Sequence, residues 1–185
     1  MQAGVKKGDK VGVAGFGGLG HMGVQYAVSL GADVTVFDIT EDKWADAFRM
    51  GATRYVNVNN PDDMKGLEGT FDFILSTIPA AYAPVMYMKM LKIDGQLGIV
   101  GLPAFRHMPH LSVAELVFNG HRKVFGSQIG GIRETQEMLD YSVAHNIYPE
   151  VEIINAEGSE VDKAHKNVLD GKVKFRYVID MSTLK

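Results

Sequence analysis

The sequence contains no cysteine, and that single absence excludes disulfides, thiolate zinc sites, iron–sulfur clusters and cysteine nucleophiles. Basic clusters are missing too. The 19 Lys and Arg against 22 Asp and Glu leave a formal charge of −3 over 185 residues, the wrong sign and distribution for a partner with a phosphate backbone. No apolar run approaches the roughly 18 residues a membrane-crossing helix needs. Residues 1–7 carry charge with no apolar core behind it, so the expectation is a cytoplasmic protein without a secretory leader. Internal repeats, low-complexity stretches and Pro/Gly/Ser linkers are also lacking. With 46% hydrophobic and 22% charged residues, the chain has the composition of one ordinary globular unit.

Glycine is the one residue in excess, at 21 where average usage of roughly 7% would give about 13. Short β-branched runs at residues 10–14, 33–37, 54–58, 71–76, 96–100 and 123–128 read as six strands. Helical patterns lie between them at 19–30, ended by Gly31, at 41–50, ended by Gly51, and at 80–91, before Asp94-Gly95. Nearly all-apolar strands joined by helical crossovers predict a parallel sheet covered on both faces, a doubly wound six-stranded α/β fold. After Gln128 the pattern becomes helix 135–145, strand 151–154, helix 161–169 and strand 175–180. This order does not extend a simple six-stranded sheet, and segments of this kind often pack on a neighbouring domain. The expected division is therefore 1–129 for the sheet domain and 130–185 for the appended segment.

The strongest chemical signal is Gly15-Phe16-Gly17-Gly18-Leu19-Gly20, which follows an apolar strand and opens a helix. Gly15 permits the tight turn, Gly17 lets a pyrophosphate approach the backbone, and Gly20 lets helix and strand pack closely. The helix start adds free N–H groups and positive dipole. Asp38 lies eighteen residues past Gly20 at the end of the second strand, where an acid can bond the adenosine ribose hydroxyls. A carboxylate there repels a 2′-phosphate, so NAD is favoured over NADP. Asp38 could instead cap the following helix, and Lys43 could reach the same ribose or lie in solvent.

Other candidate chemistry is weaker. His107-Met108-Pro109-His110 has two-ligand spacing but no third ligand nearby, so no metal site is expected. His21 reads as a solvated side chain near the phosphates rather than a catalytic group. No Tyr is followed four residues later by Lys, which excludes the short-chain dehydrogenase pattern. The Met-rich stretch at 85–91 reads as adaptable packing.

These residues resemble the zinc-dependent medium-chain alcohol dehydrogenases, and within them the cinnamyl-alcohol-dehydrogenase-like aldehyde reductases. The resemblance is carried by Val11 to Met22, Leu91-Lys92-Ile93-Asp94-Gly95, Val100-Gly101-Leu102-Pro103, Ile129 to Asp140 and Lys174 to Asp180. It implies an oxidoreductase that interconverts alcohol and aldehyde, with Leu19 packing on the nicotinamide ring and the backbone at Val100 and at Ser127 to Ile129 holding its carboxamide. Thr77, at the end of the fourth strand, joins that group, and Arg176 matches an arginine that pairs with the pyrophosphate. A homodimer formed through an edge strand near His110 to Val113 is also implied. Many reductases of this branch carry Ser or Thr in place of Asp38 and use NADP, so branch and residue point to different cofactors; the residue makes the contact and decides for NAD. Members of the family carry zinc ligands in a catalytic domain ahead of this region, and none of that is here, so the chain alone is expected to be inactive. The alternative is a stand-alone NAD(H)-binding or redox-sensing module without catalysis.

Overall fold

A computed structural model describes residues 3–184. Met1, Gln2 and Lys185, at the outer ends of the two expected spans, lie outside the described residues. The strands are β1 (Lys10–Ala14), β2 (Asp33–Asp38), β3 (Arg54–Asn57), β4 (Phe71–Ser76), β5 (Leu91–Ile99), β6 (Lys123–Gly126), β7 (Glu152–Asn155) and β8 (Tyr177–Asp180). The helices are α1 (Gly20–Ser29), α2 (Trp44–Arg49), α3 (Pro84–Met90), α4 (Val113–Phe118), α5 (Ile132–Ala144) and α6 (Gly158–Leu169).

The first six strands form one sheet in the order β3-β2-β1-β4-β5-β6, every pairing parallel. This is the doubly wound α/β architecture the alternation predicts. The strand order reverses between β1 and β4, the point where open sheets of this kind leave a crevice beyond their carboxyl ends. Strands β7 and β8 pair with each other in a separate parallel sheet.

The apolar strands are buried because both sheet faces are covered. On one face Phe37, Phe71, Ile74 and Leu97 share a core with Tyr87 and Met88 of α3. On the other, Val11, Val13, Val34 and Val36 meet Val24 and Ala27 of α1 and Ala47 of α2. Met88 and Met90 are buried, in keeping with the packing role expected of that stretch.

Several boundaries shift for local reasons. Helix α3 starts at Pro84 rather than at 80, because Pro suits the first helical turn and holds Ala83 extended at φ −98°, ψ 102°. Helix α2 starts at Trp44 rather than at 41, after a turn closed by the Trp44 N–H donating to the Glu41 carbonyl. Strand β5 runs from Leu91 through the Asp94-Gly95 irregularity, where the register with β4 shifts. Residues 110–112, where an edge strand pairing across a dimer is expected, pair with no strand of this chain and lead into α4. The Ser112 hydroxyl accepts from the Glu115 N–H and the Glu115 carboxylate accepts from the Ser112 N–H, a capping box that turns the chain into α4. The two edges of the sheet are β3 and β6.

The appended segment packs back on the sheet domain through polar and ionic contacts. The Tyr26 and Ser142 hydroxyls lie 2.6 Å apart, and those of Ser29 and Tyr141 3.0 Å. Arg49 of α2 bonds Glu150, and Lys174 bonds Asp46 at 3.0 Å.

Candidate functional site

The crevice at the strand-order reversal is built from the glycine turn. Beyond Ala14 the chain passes through Gly15 at φ +88°, a conformation that favours glycine. The Gly15 N–H donates to the Phe37 carbonyl at 2.8 Å, and the Thr77 N–H donates to the Ala14 carbonyl at 2.8 Å. The Thr77 hydroxyl lies 2.8 Å from the Gly15 carbonyl and 3.2 Å from that of Ala14. Thr77 is buried, and through these bonds it braces the turn from behind.

The glycines of the turn differ in what requires them. A Cβ on Gly20 would stand 1.9 Å from the Gly15 carbonyl oxygen, and one on Gly18 would stand 3.0 Å from the Phe175 carbonyl. Both are demanded by the protein's own packing. A Cβ on Gly17 would meet nothing within 4 Å, so its bareness keeps clear the space outside the turn. Helix α1 follows with Leu19 as its N-cap and no side-chain cap; the His21 N–H donates to the Gly17 carbonyl at 3.0 Å, and no side chain occupies the N–H groups before it, where an anion can bind.

Asp38 closes one side of the crevice. Its Oδ2 accepts from the Phe16 N–H at 3.1 Å and its Oδ1 from the Ile39 N–H at 2.7 Å. It does not cap the next helix, whose N-cap is Lys43. Lys43 itself is half-buried at the start of α2. On the far side, Arg176 Nη2 comes within 3.8 Å of the point a Gly18 Cβ would occupy.

The remaining candidates stand at strand ends along the same rim. The Val100 N–H donates to Ser76 at 2.9 Å and the Ser127 N–H to Ile99 at 3.1 Å, extending the ladders of β4–β5 and β5–β6. Leu19 is 54% exposed and Ile129 98%. Gly15, Gly17, Gly18, Leu19, Gly20, Asp38 and Arg176 thus gather around the turn, while Val100, Ser127 and Ile129 form the neighbouring rim.

His21 departs from expectation. It is 0% exposed rather than solvated, because the appended segment covers it: its ring stacks on Phe175 with centroids 4.6 Å apart. Burial pushes the imidazole below its ordinary value, as does Arg176, against raising effects from the Gly17 and Gly18 backbone and from Glu150. An apolar cavity of about 570 Å³ lies elsewhere, between α1, α5 and the sheet, lined by Val5, Val11, Tyr26, Phe73, Met138 and Tyr141.

Residues 18–144 match the family described as zinc-binding dehydrogenase. The chain belongs to that family. The zinc-binding dehydrogenase chain is 43% identical over 180 residues to a probable formaldehyde dehydrogenase of Bacillus subtilis, covering 97% of this chain and 50% of that protein. It is 44% identical over 179 residues to an aldehyde reductase of Escherichia coli, at 96% and 50% coverage. A solved cinnamyl alcohol dehydrogenase from Helicobacter pylori, complexed with NADP(H), superposes with a TM-score of 0.90 at 50% identity, covering 98% of this chain and 50% of that one. One from Sorghum bicolor gives 0.92 at 30% identity, with 100% and 51% coverage. The chain therefore spans about half the length of the relatives it matches, and the resemblance to zinc-type medium-chain alcohol dehydrogenases is borne out.

The metal in the family's description finds no fit here. The chain has no cysteine, and among the described residues no three His, Asp or Glu side chains gather as a metal-binding group. No helix among them is long and apolar enough to cross a membrane.

Proposed function

We propose that this chain is the NAD(H)-holding half of an alcohol dehydrogenase that interconverts alcohol and aldehyde by hydride transfer. Residues 1–129 form the dinucleotide-binding domain, and residues 130–185 return to the half of the longer protein that supplies the metal ligands. The observation that carries the reading is Gly17, which nothing in the chain requires and which keeps the turn open beside an uncapped helix start. Gly15, Gly18 and Gly20 shape that turn, and the N–H groups opening α1 meet the pyrophosphate with Arg176 above them. Asp38 takes the adenosine ribose, flanked by Lys43. Leu19 packs on the nicotinamide, whose carboxamide meets the backbone at Val100, Ser127 and Ile129. Thr77 serves from behind the turn.

NAD is proposed over NADP because the Asp38 carboxylate is fixed beside the turn, where a 2′-phosphate would meet like charge. A homodimer is proposed through the segment near His110 to Val113, with the exposed Val113, Val117 and Phe118 of α4 following it.

The test uses the single tryptophan, Trp44, as an energy donor to bound nicotinamide. The chain is expected to bind NADH saturably and NADPH more weakly, without oxidising alcohols. Gly17→Ala is expected to leave the melting temperature nearly unchanged, within about 0.5 kcal/mol of stability, while weakening NADH at least about tenfold through contact with the pyrophosphate. Undiminished binding by Gly17→Ala, or no binding by the parent, overturns the reading.

A further inference from the structure

His21 is buried one residue into α1, yet none of the dinucleotide contacts proposed above uses it. Its Nδ1 lies 3.2 Å from the Gly17 carbonyl oxygen, and its Nε2 lies 3.3 Å from the Glu150 backbone nitrogen. A backbone N–H can only donate, so Nε2 accepts, and the proton of the neutral ring sits on Nδ1 and is donated to Gly17. One imidazole therefore bonds the glycine turn through one nitrogen and the appended segment through the other.

The ring face makes a third attachment. Phe175 stacks on it at an interplanar angle of 19°, and Phe16 of the turn meets Phe175 edge-on at 5.1 Å. Phe175 is held at φ +83°, a region that strains a bulky side chain. It is kept there by packing on both sides, and the consequence lies one residue on. The Phe175 carbonyl comes against Gly18, and the Arg176 guanidinium falls beside the same glycine. The two neighbours of this contact are anchored to α2: the Glu150 carboxylate pairs with Arg49, and Lys174 pairs with Asp46.

We propose that His21 and Phe175 form a latch that seats the appended segment on the glycine turn and so positions Arg176 over the pyrophosphate. The proposal rests on reading the turn as a dinucleotide site. His21 is a positioning residue that touches neither cofactor nor substrate. A second proton would place an Nε2–H against the Glu150 N–H, donor facing donor, and open the latch. The charged groups acting on the ring are Glu150, before β7, whose carboxylate is shared with Arg49 of α2, and Arg176, before β8. The first favours the cation and the second opposes it.

The experiment is a double-mutant cycle on NADH affinity in the full 185-residue chain, read by energy transfer from Trp44, with melting curves alongside. His21→Phe keeps a ring against Phe175 and removes both hydrogen bonds. It and Arg176→Ala are each expected to weaken NADH about tenfold. Together they should lose little more than either alone, because a guanidinium that is no longer positioned has nothing left to lose. The parent's affinity should fall as pH drops from about 7.5 to about 5, and that step should be absent in His21→Gln, whose amide oxygen still accepts from Glu150. Should His21→Phe not fold, Phe175→Leu replaces it in the cycle with the same expectation. Additive losses, or an acid step retained by His21→Gln, overturn the latch alone. A parent that binds no dinucleotide overturns the site reading and the latch together.

Discussion

Replacing Asp38 by serine tests cofactor choice at the atoms proposed to make it. Each carboxylate oxygen already accepts one backbone N–H, Oδ2 from Phe16 at 3.1 Å and Oδ1 from Ile39 at 2.7 Å. Those bonds fix the group beside the turn and leave lone pairs for a ribose diol. In Asp38→Ser the side chain is shorter and neutral, so a charged hydrogen bond to the ribose is lost together with the repulsion of a 2′-phosphate. The preference for NADH over NADPH is then expected to fall by about 1 to 3 kcal/mol, roughly 5- to 150-fold in the ratio of dissociation constants. Asp38→Asn divides the two effects, since its amide oxygen still accepts while the charge is gone. It should improve NADPH binding and change NADH binding less. Both cofactors are titrated at one ionic strength, because salt screens the repulsion selectively. Melting curves control for the Phe16 and Ile39 N–H groups left without their acceptor. A ratio that stays constant through both substitutions refutes the assignment, wherever the absolute affinities move.

Gly20→Ala places a methyl where the Gly15 carbonyl oxygen stands 1.9 Å away; helix α1 must shift, with a loss of about 3 kcal/mol or more in thermal or denaturant unfolding and of NADH binding with it. Asp46, held below the usual carboxylate range chiefly by its hydrogen bond from Arg49 and further by Lys174, contributes stability that is complete above its ordinary value. That stability is lost as pH falls through the lower folded value. The acid limb of a melting-temperature profile should therefore flatten in Asp46→Asn, and an unchanged limb would contradict the bridging role. Ile153, Leu169, Ile179, Met181 and Leu184 are exposed on the appended segment, so the chain is expected to bind an apolar dye. Ile153→Lys with Leu169→Lys should reduce that binding and leave NADH affinity alone, whereas a parent that binds no dye would favour the stand-alone module.

What the sequence reveals about this fold is what short-range pattern can encode. Strands β1 and β4 begin and end where their apolar runs do, because a strand buried on both faces needs little beyond its own composition. Helix α3 was legible in kind but not in length, and Pro84 is the signal that shortens it. Helix α4 was legible too, through Ser112 and Glu115 at capping-box spacing.

The site divides along the same line. The glycine turn and Asp38 announce themselves because backbone conformation and strand-end position impose residue types at fixed spacing. His21 does not, since its burial depends on Phe175 and Glu150, more than a hundred residues away. Helical position alone cannot distinguish a histidine facing water from one covered by a returning segment. Thr77 is a second case: its strand-end position is legible, whereas the bonds from its hydroxyl to the turn's own carbonyls appear only in the fold. Sequence thus locates the surface proposed to meet the cofactor. The residues that hold that surface in shape come from chain segments brought together only by folding, and the appended segment is therefore as much a part of the site as the turn it covers.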